Sequence, residues 1–215
     1  MDTNEVALCQ ADGPKEPPSP RERRHEAILD AAEALFMEQG YDRTSLAEIV
    51  RRSGGSLATL YELFGNKQGL LHAIAIRWRD ETMQGRVNQV SAPDTSVVEI
   101  LMGFVRREIE LWQSPSTVAL LRMLVSEGLR DSDFALQTYR DLHLPFIAEL
   151  TELFAGWGKA GVAAIDDPEA TAHLFLSIVS GDTMLSRLLG VEDGIPDETQ
   201  IRWRLQPFFH HFQIA

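Results

Sequence analysis

The sequence predicts an all-α protein with a three-helix N-terminal domain and a larger C-terminal helical bundle. From residue 20 onward, apolar residues recur at helical spacing and strand-like alternation is nearly absent. Most of the periodic segments also open at a serine, aspartate or asparagine that can cap a helix. A chain of 215 residues is long enough for one or two domains with a sizeable core.

Each predicted helix begins at a capping residue and ends at a glycine or a polar break. The first helix opens with a capping box, Ser19 to Glu22, and stops at Gly40. Pro145 marks a break or kink inside the segment 131–159, so we expect nine or ten helices. In chain order, the predicted helices are 19–40, 45–53, 56–64, 66–90, 96–112, 114–129, 131–159, 167–190 and 196–212.

Charge is distributed unevenly along the chain. The net charge of −12 argues against a protein that coats nucleic acid by charge alone. Residues 21–71, however, carry seven bases against eight acids, and Arg21, Arg23 and Arg24 lie together at their start. This nearly neutral segment is the part whose surface can approach a polyanion. The proline-rich, polar segment 1–20 is predicted to be a disordered tail.

Several classes of protein do not fit the sequence. A single cysteine, Cys9, cannot form an internal disulfide, so we expect a reducing compartment such as the cytoplasm. No apolar run reaches the roughly 18 residues of a membrane span, and the acidic N-terminus does not look like a secretory signal. The six histidines show no metal-ligand spacing, so neither a metal nor a cofactor is expected.

The helices 45–53 and 57–63, joined by a turn with two glycines, are a helix-turn-helix candidate. A helix that enters the major groove of DNA must be held rigidly by a second helix. Leu46, Ile49 and Leu60 are placed to face inward, and small or polar residues from Ser56 to Tyr61 to face outward. Packed helices with a glycine turn are common, so spacing alone is a weak indication.

The longer sequence around this unit is more specific. Gly40-Tyr41-Asp42-Arg43-Thr44-Ser45 precedes it, and Thr59-Leu60-Tyr61, Phe64 and Lys67 form its core pattern. Together they resemble the DNA-binding domain of the TetR family of bacterial transcriptional regulators, over residues 24–71. The resemblance implies a non-enzymatic regulator, by default a repressor, whose homodimer binds a palindromic operator in double-stranded DNA.

The resemblance also implies which residues contact DNA. The helix that opens at Ser56 would be the recognition helix, within a DNA-binding domain over residues 21–71. Tyr61 and Lys67 match positions that usually hold phosphates, and Thr44 matches a cap-and-phosphate position. The full set of implied DNA contacts is Arg24, Arg43, Thr44, Ser45, Ser56, Leu57, Ala58, Thr59, Tyr61 and Lys67.

Three departures from the family pattern change the expected chemistry of binding. Gly55 replaces the usual aliphatic residue in the turn, Leu57 stands where a polar or basic residue is common, and Glu62-Leu63 replaces basic or polar aromatic residues. Few strong hydrogen-bonding groups therefore point into the groove. We expect affinity to depend on phosphates and on the arm Arg21–Arg24, and hence to fall with salt.

The segment 72–215 is predicted to be an effector-binding and dimerisation domain. The stretch from Leu120 through Leu189 is similar to the C-terminal domain of the AefR-like branch, and in the family such a domain makes the dimer interface. Two helices carry broad apolar faces that suit either a partner copy or the protein's own core. The residues predicted at the dimer interface are Phe146, Leu150, Phe154, Trp157, Phe175, Ile178 and Leu185.

A small-molecule effector, largely apolar, is implied as a second partner. Ligand pockets are typically apolar with a few polar groups. The candidate pocket residues are Phe104, Arg107, Trp112, Met123, Glu127, His143 and His173. The resemblance implies that bound effector tilts the helix 66–90, along which Trp78 and Arg79 lie. This would move the two recognition helices out of register with successive major grooves.

Two other functions remain open at this point. Gly54-Gly55-Ser56-Leu57-Ala58 approximates the nucleophile elbow of a hydrolase, but that motif needs a preceding strand in a parallel sheet. The departures at Leu57, Glu62 and Leu63 also allow a helical protein-interaction or ligand-sensing module without specific DNA binding.

Overall fold

The computed structural model describes residues 17, 19–87, 95–191 and 195–214, with the backbone alone for 83–87. Across these ranges the fold is all-α, as predicted. The helices are α1 Pro20–Gln39, α2 Leu46–Ser53, α3 Leu57–Phe64, α4 Lys67–Val87, α5 Val97–Gln113, α6 Pro115–Gly128, α7 Ser132–Thr138, α8 Leu144–Ala160, α9 Pro168–Leu189 and α10 Glu198–His211. Most of the segment predicted to be a disordered tail lies outside the described residues; Ser19 and Pro20 belong to the start of α1.

Side-chain caps set the helix starts where the sequence predicted them. Ser19, Ser45 and Asp197 head full capping boxes at α1, α2 and α10. Ser56 and Asn66 accept hydrogen bonds from the first backbone N–H groups of α3 and α4. These bonds satisfy N–H groups that have no partner within the helix, which is why local sequence locates these boundaries.

The break predicted at Pro145 is found in the turn that precedes this proline. Residues Tyr139–His143 form a π-helical turn between α7 and α8, and Pro145 occupies the first turn of α8. Proline has no N–H and its ring crowds the carbonyl four residues earlier, here that of Asp141. The Asp141 carbonyl instead accepts a hydrogen bond from Arg79 of α4. The break therefore ties the C-terminal bundle to α4.

Two apolar clusters form the core. The first joins α1–α4 to α6 and α7, since Ile49, Leu60 and Leu71 pack in one cluster with Leu124 and Phe134. The second lies within α5, α8, α9 and α10. The predicted domain boundary after residue 71 falls inside α4, and the first cluster extends across it.

The second cluster corrects part of the predicted dimer interface. Leu150, Phe154 and Phe175 are at most 1% exposed within a single protomer. The Phe154 ring packs against Trp157 and Phe175 at centroid distances of 5.5 and 6.0 Å. A side chain already buried by its own chain has no surface left for a partner. These three residues are therefore core residues.

The described residues show neither a membrane-spanning helix nor a metal-binding cluster. None of the described helices combines the length and the apolar character needed to cross a membrane. Among the described side chains, no three His, Cys, Asp or Glu residues converge in the way that would hold a metal ion. Cys9 lies outside the ranges that the structure describes.

Candidate nucleic-acid interface

Helices α2 and α3 form a helix-turn-helix in which one face of α3 is anchored and the other is exposed. Ile49 of α2 and Leu60 of α3 are fully buried against α1 and α4. On the opposite face of α3, Leu57 and Ala58 are exposed, and Tyr61 is 53% exposed. A recognition helix needs this arrangement, because the groove must meet its outer face while the scaffold holds its inner one.

The start of α3 is fixed by its own polar side chains. Ser56 is exposed and its Oγ accepts from the Thr59 N–H at 3.1 Å, while the two hydroxyl oxygens lie 2.9 Å apart. Both residues sit at the end of α3 from which base contacts are typically made. Besides Leu57, two residues of this helix depart from the family pattern. Glu62 is exposed beside Tyr61, whereas Leu63 is partly buried against the core.

Thr44 does not lie on the proposed DNA surface. The side chain is 2% exposed, and its hydroxyl donates to the Gly40 carbonyl at 2.9 Å and accepts from Gln39 Nε2 at 3.3 Å. The hydroxyl completes the end of α1, where helix carbonyls lack backbone partners. The prediction that the Thr44 side chain contacts a phosphate is therefore wrong.

The residues on either side of Thr44 are exposed. Arg43 donates through Nε to the Gln39 carbonyl at 2.6 Å, which turns its side chain back along the end of α1. Ser45 caps α2, and its backbone N–H and hydroxyl are both bonded to the Glu48 carboxylate at 2.9 Å. Helix N-termini attract anions, so the exposed start of α2 remains compatible with a phosphate.

Lys67 lies at the first turn of α4, against the loop between α1 and α2. Its Nζ is 4.3 Å from the centroid of the Tyr41 ring and donates to the Asp42 carbonyl at 3.3 Å. Partial burial lowers the pKa of Lys67, against the opposing pull of the Asp42 and Glu127 carboxylates. Contacts within the protein thus hold the Lys67 side chain against this loop, and its contact with a phosphate stays a prediction.

Arg24 is also engaged within the protein. Its guanidinium donates to the carbonyls of Ser53 and Gly54, at the end of α2. The side chain is partly buried, whereas Arg21 and Arg23 are exposed on the first turn of α1. Of the predicted basic arm, Arg24 therefore reaches from α1 to the turn of the helix-turn-helix, a contact that the sequence pattern did not indicate.

A polar network joins the helix-turn-helix to α6. Glu127 of α6 is 7% exposed and accepts a hydrogen bond from the Tyr41 hydroxyl and another from Gln68 Nε2 at 3.3 Å. Arg130 links Glu127 Oε1, at 3.1 Å, to Asp42 Oδ1, at 2.9 Å. Burial and the neighbouring carboxylate raise the pKa of Tyr41, so its hydroxyl stays protonated and donates.

A second set of ion pairs joins α1 to α4. Arg77 of α4 contacts the carboxylates of Asp30 at 2.7 Å, Glu26 at 3.1 Å and Glu33 at 2.5 Å, all on one face of α1. The three acids lie at helical spacing on α1, but nothing in the sequence pairs them with Arg77 of α4, so this set was not predicted.

The structure divides the predicted effector residues among several places. Glu127 belongs to the polar network described above, and Met123 lines a cleft between α6 and the loop that follows α1. Phe104 is a core residue that packs against Phe146. Trp112 borders a separate small void, so Met123 and Trp112 do not share one cavity.

Three polar candidates for the effector site lie elsewhere on the C-terminal bundle. Arg107 is partly buried on α5. His143 stacks on Tyr139 in the π-helical turn, 6.4 Å from the exposed ring of His173. Burial, and secondarily His173, lower the pKa of His143. An uncharged His143 therefore faces α9 at neutral pH.

The void near Trp112 contains two buried polar atoms without partners. Trp112 Nε1 and Thr183 Oγ1 are both buried and make no hydrogen bond. Both residues border a void between α5, α9 and Pro196 that is too narrow to hold a water molecule. A buried polar group that lacks a partner costs about 1–3 kcal/mol, so a hydrogen-bonding ligand would satisfy both atoms only if α5 and α9 moved apart.

The two turn glycines differ in backbone conformation, which predicts opposite effects of alanine. Gly54 has φ +71° and Gly55 does not have a positive φ. A Cβ at Gly55 would lie 3.6 Å from Arg24 Nη1, an ordinary contact. We expect Gly54→Ala to destabilise the protein by about 1–2 kcal/mol and Gly55→Ala to stabilise it by about 0.4–1 kcal/mol. Urea unfolding of the two variants measures both effects; shifts of the same sign would contradict the assignment.

Two family models match the N-terminal and the C-terminal parts of the chain separately. Residues 28–74 match the model of the bacterial regulatory proteins of the tetR family. Residues 99–206, just over half of the chain, match the C-terminal domain of AefR-like transcriptional repressors. The HTH-type transcriptional repressor ComR of Escherichia coli K12 is 34% identical over 94 residues, 44% of this chain and 45% of ComR. That match therefore spans less than half the length of ComR.

Solved structures share the whole fold. The flavonoid-responsive regulator FrrA superimposes with a TM-score of 0.69 at 27% identity, covering 88% of this chain and 96% of FrrA. A TetR-family regulator from Mesorhizobium loti superimposes with a TM-score of 0.77 at 18% identity. The match covers 91% of this chain and 99% of that regulator, and it shows the fold alone. The chain contains a helix-turn-helix, and the AefR-like family model matches more than half of its length. It therefore belongs to the TetR family of DNA-binding transcriptional regulators, which are not enzymes.

Proposed function

We propose that the protein is a repressor whose homodimer binds a palindromic operator and leaves it when a small, largely apolar effector binds the C-terminal domain. The observation that carries this proposal is the two-sided α3, with Leu60 fully buried and Tyr61 exposed one residue later. The proposed place of action is the bacterial cytoplasm, where the chromosome lies. Three features of the described residues support the dimer, the mode of DNA reading and the effector response.

The support for a homodimer is an unpartnered apolar face on α8 and α9. Leu174, Leu185 and Leu189 are exposed along α9, and Leu144 is exposed on α8. Ile178, which is partly buried, continues the same stripe, whereas Phe146 and Trp157 lean against the protomer's own core. Two antiparallel helices from each copy would form a four-helix interface, and the two-fold axis would present two copies of α3 to a palindrome.

The exposed face of α3 supports reading of DNA mainly through methyl groups and phosphates. Leu57, Ala58 and the methyl group of Thr59 suit contact with thymine methyl groups in the major groove. Tyr61 offers a hydroxyl to a phosphate while its ring packs at the protein surface. Affinity then depends strongly on contacts with phosphates. The exposed carboxylate of Glu62 repels phosphates, so it lowers the affinity that these contacts supply.

The void at Trp112 and Thr183 supports an effector site that opens when α5 and α9 move apart, because it is too narrow to hold a water molecule as it stands. Its apolar lining with two unpartnered polar atoms suits an apolar molecule that carries a hydrogen-bonding group. The description of FrrA as flavonoid-responsive supports an effector of this general kind. Arg187 of α9 donates to the Trp112 carbonyl at 3.0 Å, so an opened void would move the end of α9 relative to α5.

We infer that the effector signal passes to the helix-turn-helix through α6. Arg122 of α6 donates to the carbonyls of Arg187 and Leu188 at the end of α9, at 2.7 and 3.1 Å. Five residues further along α6, near its C-terminal end, Glu127 is bonded to Tyr41 and Gln68. The effector shifts the population only if it binds the DNA-incompetent arrangement of these helices more tightly.

Selection from random double-stranded DNA tests the proposed function. The full-length protein should enrich a palindrome whose half-sites lie about 10 base pairs apart, one helical turn. Binding to the selected duplex should weaken with salt, each contacted phosphate contributing about 0.9 to the log–log slope. Failure to enrich any palindrome would favour the alternative, a ligand-sensing helical module without specific DNA binding.

Tyr61→Ala should weaken binding to the selected duplex about 10- to 100-fold, a loss of roughly 1.4–3 kcal/mol. Tyr61 is 53% exposed, so we expect the unfolding free energy to change by less than about 0.5 kcal/mol. Fluorescence anisotropy with the selected duplex measures the affinity. Tyr139→Ala is the matched control, because Tyr139 is similarly exposed but lies in the C-terminal bundle. Equal losses in the two variants would rule out a specific role for Tyr61.

A further inference from the structure

We propose that Arg24 is a positioning residue that holds the turn between α2 and α3, and that it does not contact DNA. This inference rests on the proposed use of α3 as the recognition helix. Arg24 lies near the start of α1, about 30 residues before the turn, yet its guanidinium donates to both Ser53 O and Gly54 O. It is thus bonded to two consecutive carbonyls of the turn.

The two carbonyls need a partner from outside the helix. The N–H groups of Gly54 and Gly55 both bond to the Val50 carbonyl, at 3.0 and 3.2 Å, which closes the last turn of α2. The carbonyls of Ser53 and Gly54 lie beyond this closure, where helix ends lack backbone donors. A guanidinium satisfies both, because it presents several N–H donors in one plane and its charge suits a helix C-terminus.

Gly55 fits the same arrangement. A Cβ built on Gly55 would lie 3.6 Å from Arg24 Nη1 and 3.7 Å from Arg24 Cδ, so the arginine side chain lies directly over the turn. The methylene stem of Arg24 therefore covers the position at which the sequence lacks an aliphatic side chain. Arg24 supplies both the apolar cover and the hydrogen bonds of this turn.

The position of the turn determines the start of α3. Ser56, the N-cap of α3, follows Gly55 directly, and Leu57 and Ala58 on the next turn are exposed toward the proposed groove. A guanidinium committed to backbone carbonyls points its donors into the protein and away from phosphates. Loss of Arg24 should therefore loosen the start of α3 and leave the number of phosphate contacts unchanged.

Amide hydrogen exchange of the free protein is the first test. Arg24→Met keeps an apolar stem over Gly55 and removes the donors and the charge. We expect exchange of the amides of residues 54–60 to rise at least tenfold in this variant. Arg52→Met is the matched control, because Arg52 also joins α2 to α1, through Glu38 at 2.6 Å, but does not bond to the turn. The control should leave these amides at wild-type rates.

Salt-dependent binding to the palindromic duplex selected by the wild type is the second test. Arg24→Met should bind about tenfold more weakly with an unchanged salt slope. Arg24→Lys should lose a similar factor, because lysine keeps the charge but its Nζ ends one bond short of the Nη1 that donates to both carbonyls. Unchanged exchange in Arg24→Met, a slope reduced by about 0.9, or full rescue by lysine would each overturn the proposal. If the wild type selects no palindrome, the proposed function fails, while the exchange experiment still judges the role of Arg24 in the turn.

Discussion

Leu185→Asp is expected to convert the proposed dimer into a monomer and to abolish binding to the palindrome selected by the wild type. Leu185 is 57% exposed near the middle of the apolar stripe of α9. At a two-fold interface the substitution places two carboxylates in an apolar surface, which we expect to weaken dimerisation at least 100-fold, roughly 3 kcal/mol. Sedimentation velocity and duplex binding measure the two effects, and circular dichroism should show an unchanged helical fold.

Leu129→Asp is the control for this experiment. Leu129 is even more exposed, but it lies at the end of α6 and not on the stripe of α8 and α9. We expect this variant to remain a dimer. A dimeric Leu185→Asp variant, or equal dissociation of both variants, would show that the four-helix interface is not formed by these faces.

Phe154→Ala is expected to lower the free energy of unfolding by about 3–5 kcal/mol. Phe154 is fully buried, and its ring lies between Trp157, Phe175 and Phe208 at centroid distances of 5.5 to 6.0 Å. Removing it leaves a cavity that the rigid neighbouring rings cannot fill. Urea unfolding at fixed protein concentration measures the loss, since dimerisation adds to apparent stability.

Trp203→Ala serves as the control for Phe154→Ala. Trp203 is an aromatic residue of α10 that is 71% exposed, so its replacement should change the unfolding free energy by less than about 0.5 kcal/mol. A comparable loss in the two variants would contradict the assignment of Phe154 to the core and of Trp203 to the surface.

The sequence located the helices well because their boundaries depend on neighbours only a few residues away. The caps at Ser45, Ser56 and Asp197 are bonds to residues three positions on. The division of apolar faces between core and interface could not be predicted in the same way. Phe175 and Leu185 lie on one amphipathic helix, and only the packing of α9 against its neighbours buries one and exposes the other.

The site residues divide along the same line. The exposed face of α3 was predictable, because Leu60 must point inward and the helical period then directs Leu57, Ala58 and Tyr61 outward. The roles of Arg24 and Glu127 were not. Each depends on a partner at least 29 residues away in the chain, and an arginine or glutamate in a helical segment does not by itself indicate such a partner.

The first apolar cluster has a consequence for anyone who would transplant the DNA-reading half of this protein. Leu70 and Leu71 are fully buried, and they share their cluster with Leu120, Leu124 and Phe134. A fragment that lacks α6 and α7 would expose apolar surface to solvent and would tend to aggregate. A chimera that joins this DNA-binding domain to the C-terminal domain of another protein must therefore retain α6 and α7. These two helices are part of the folding unit of the DNA-binding domain.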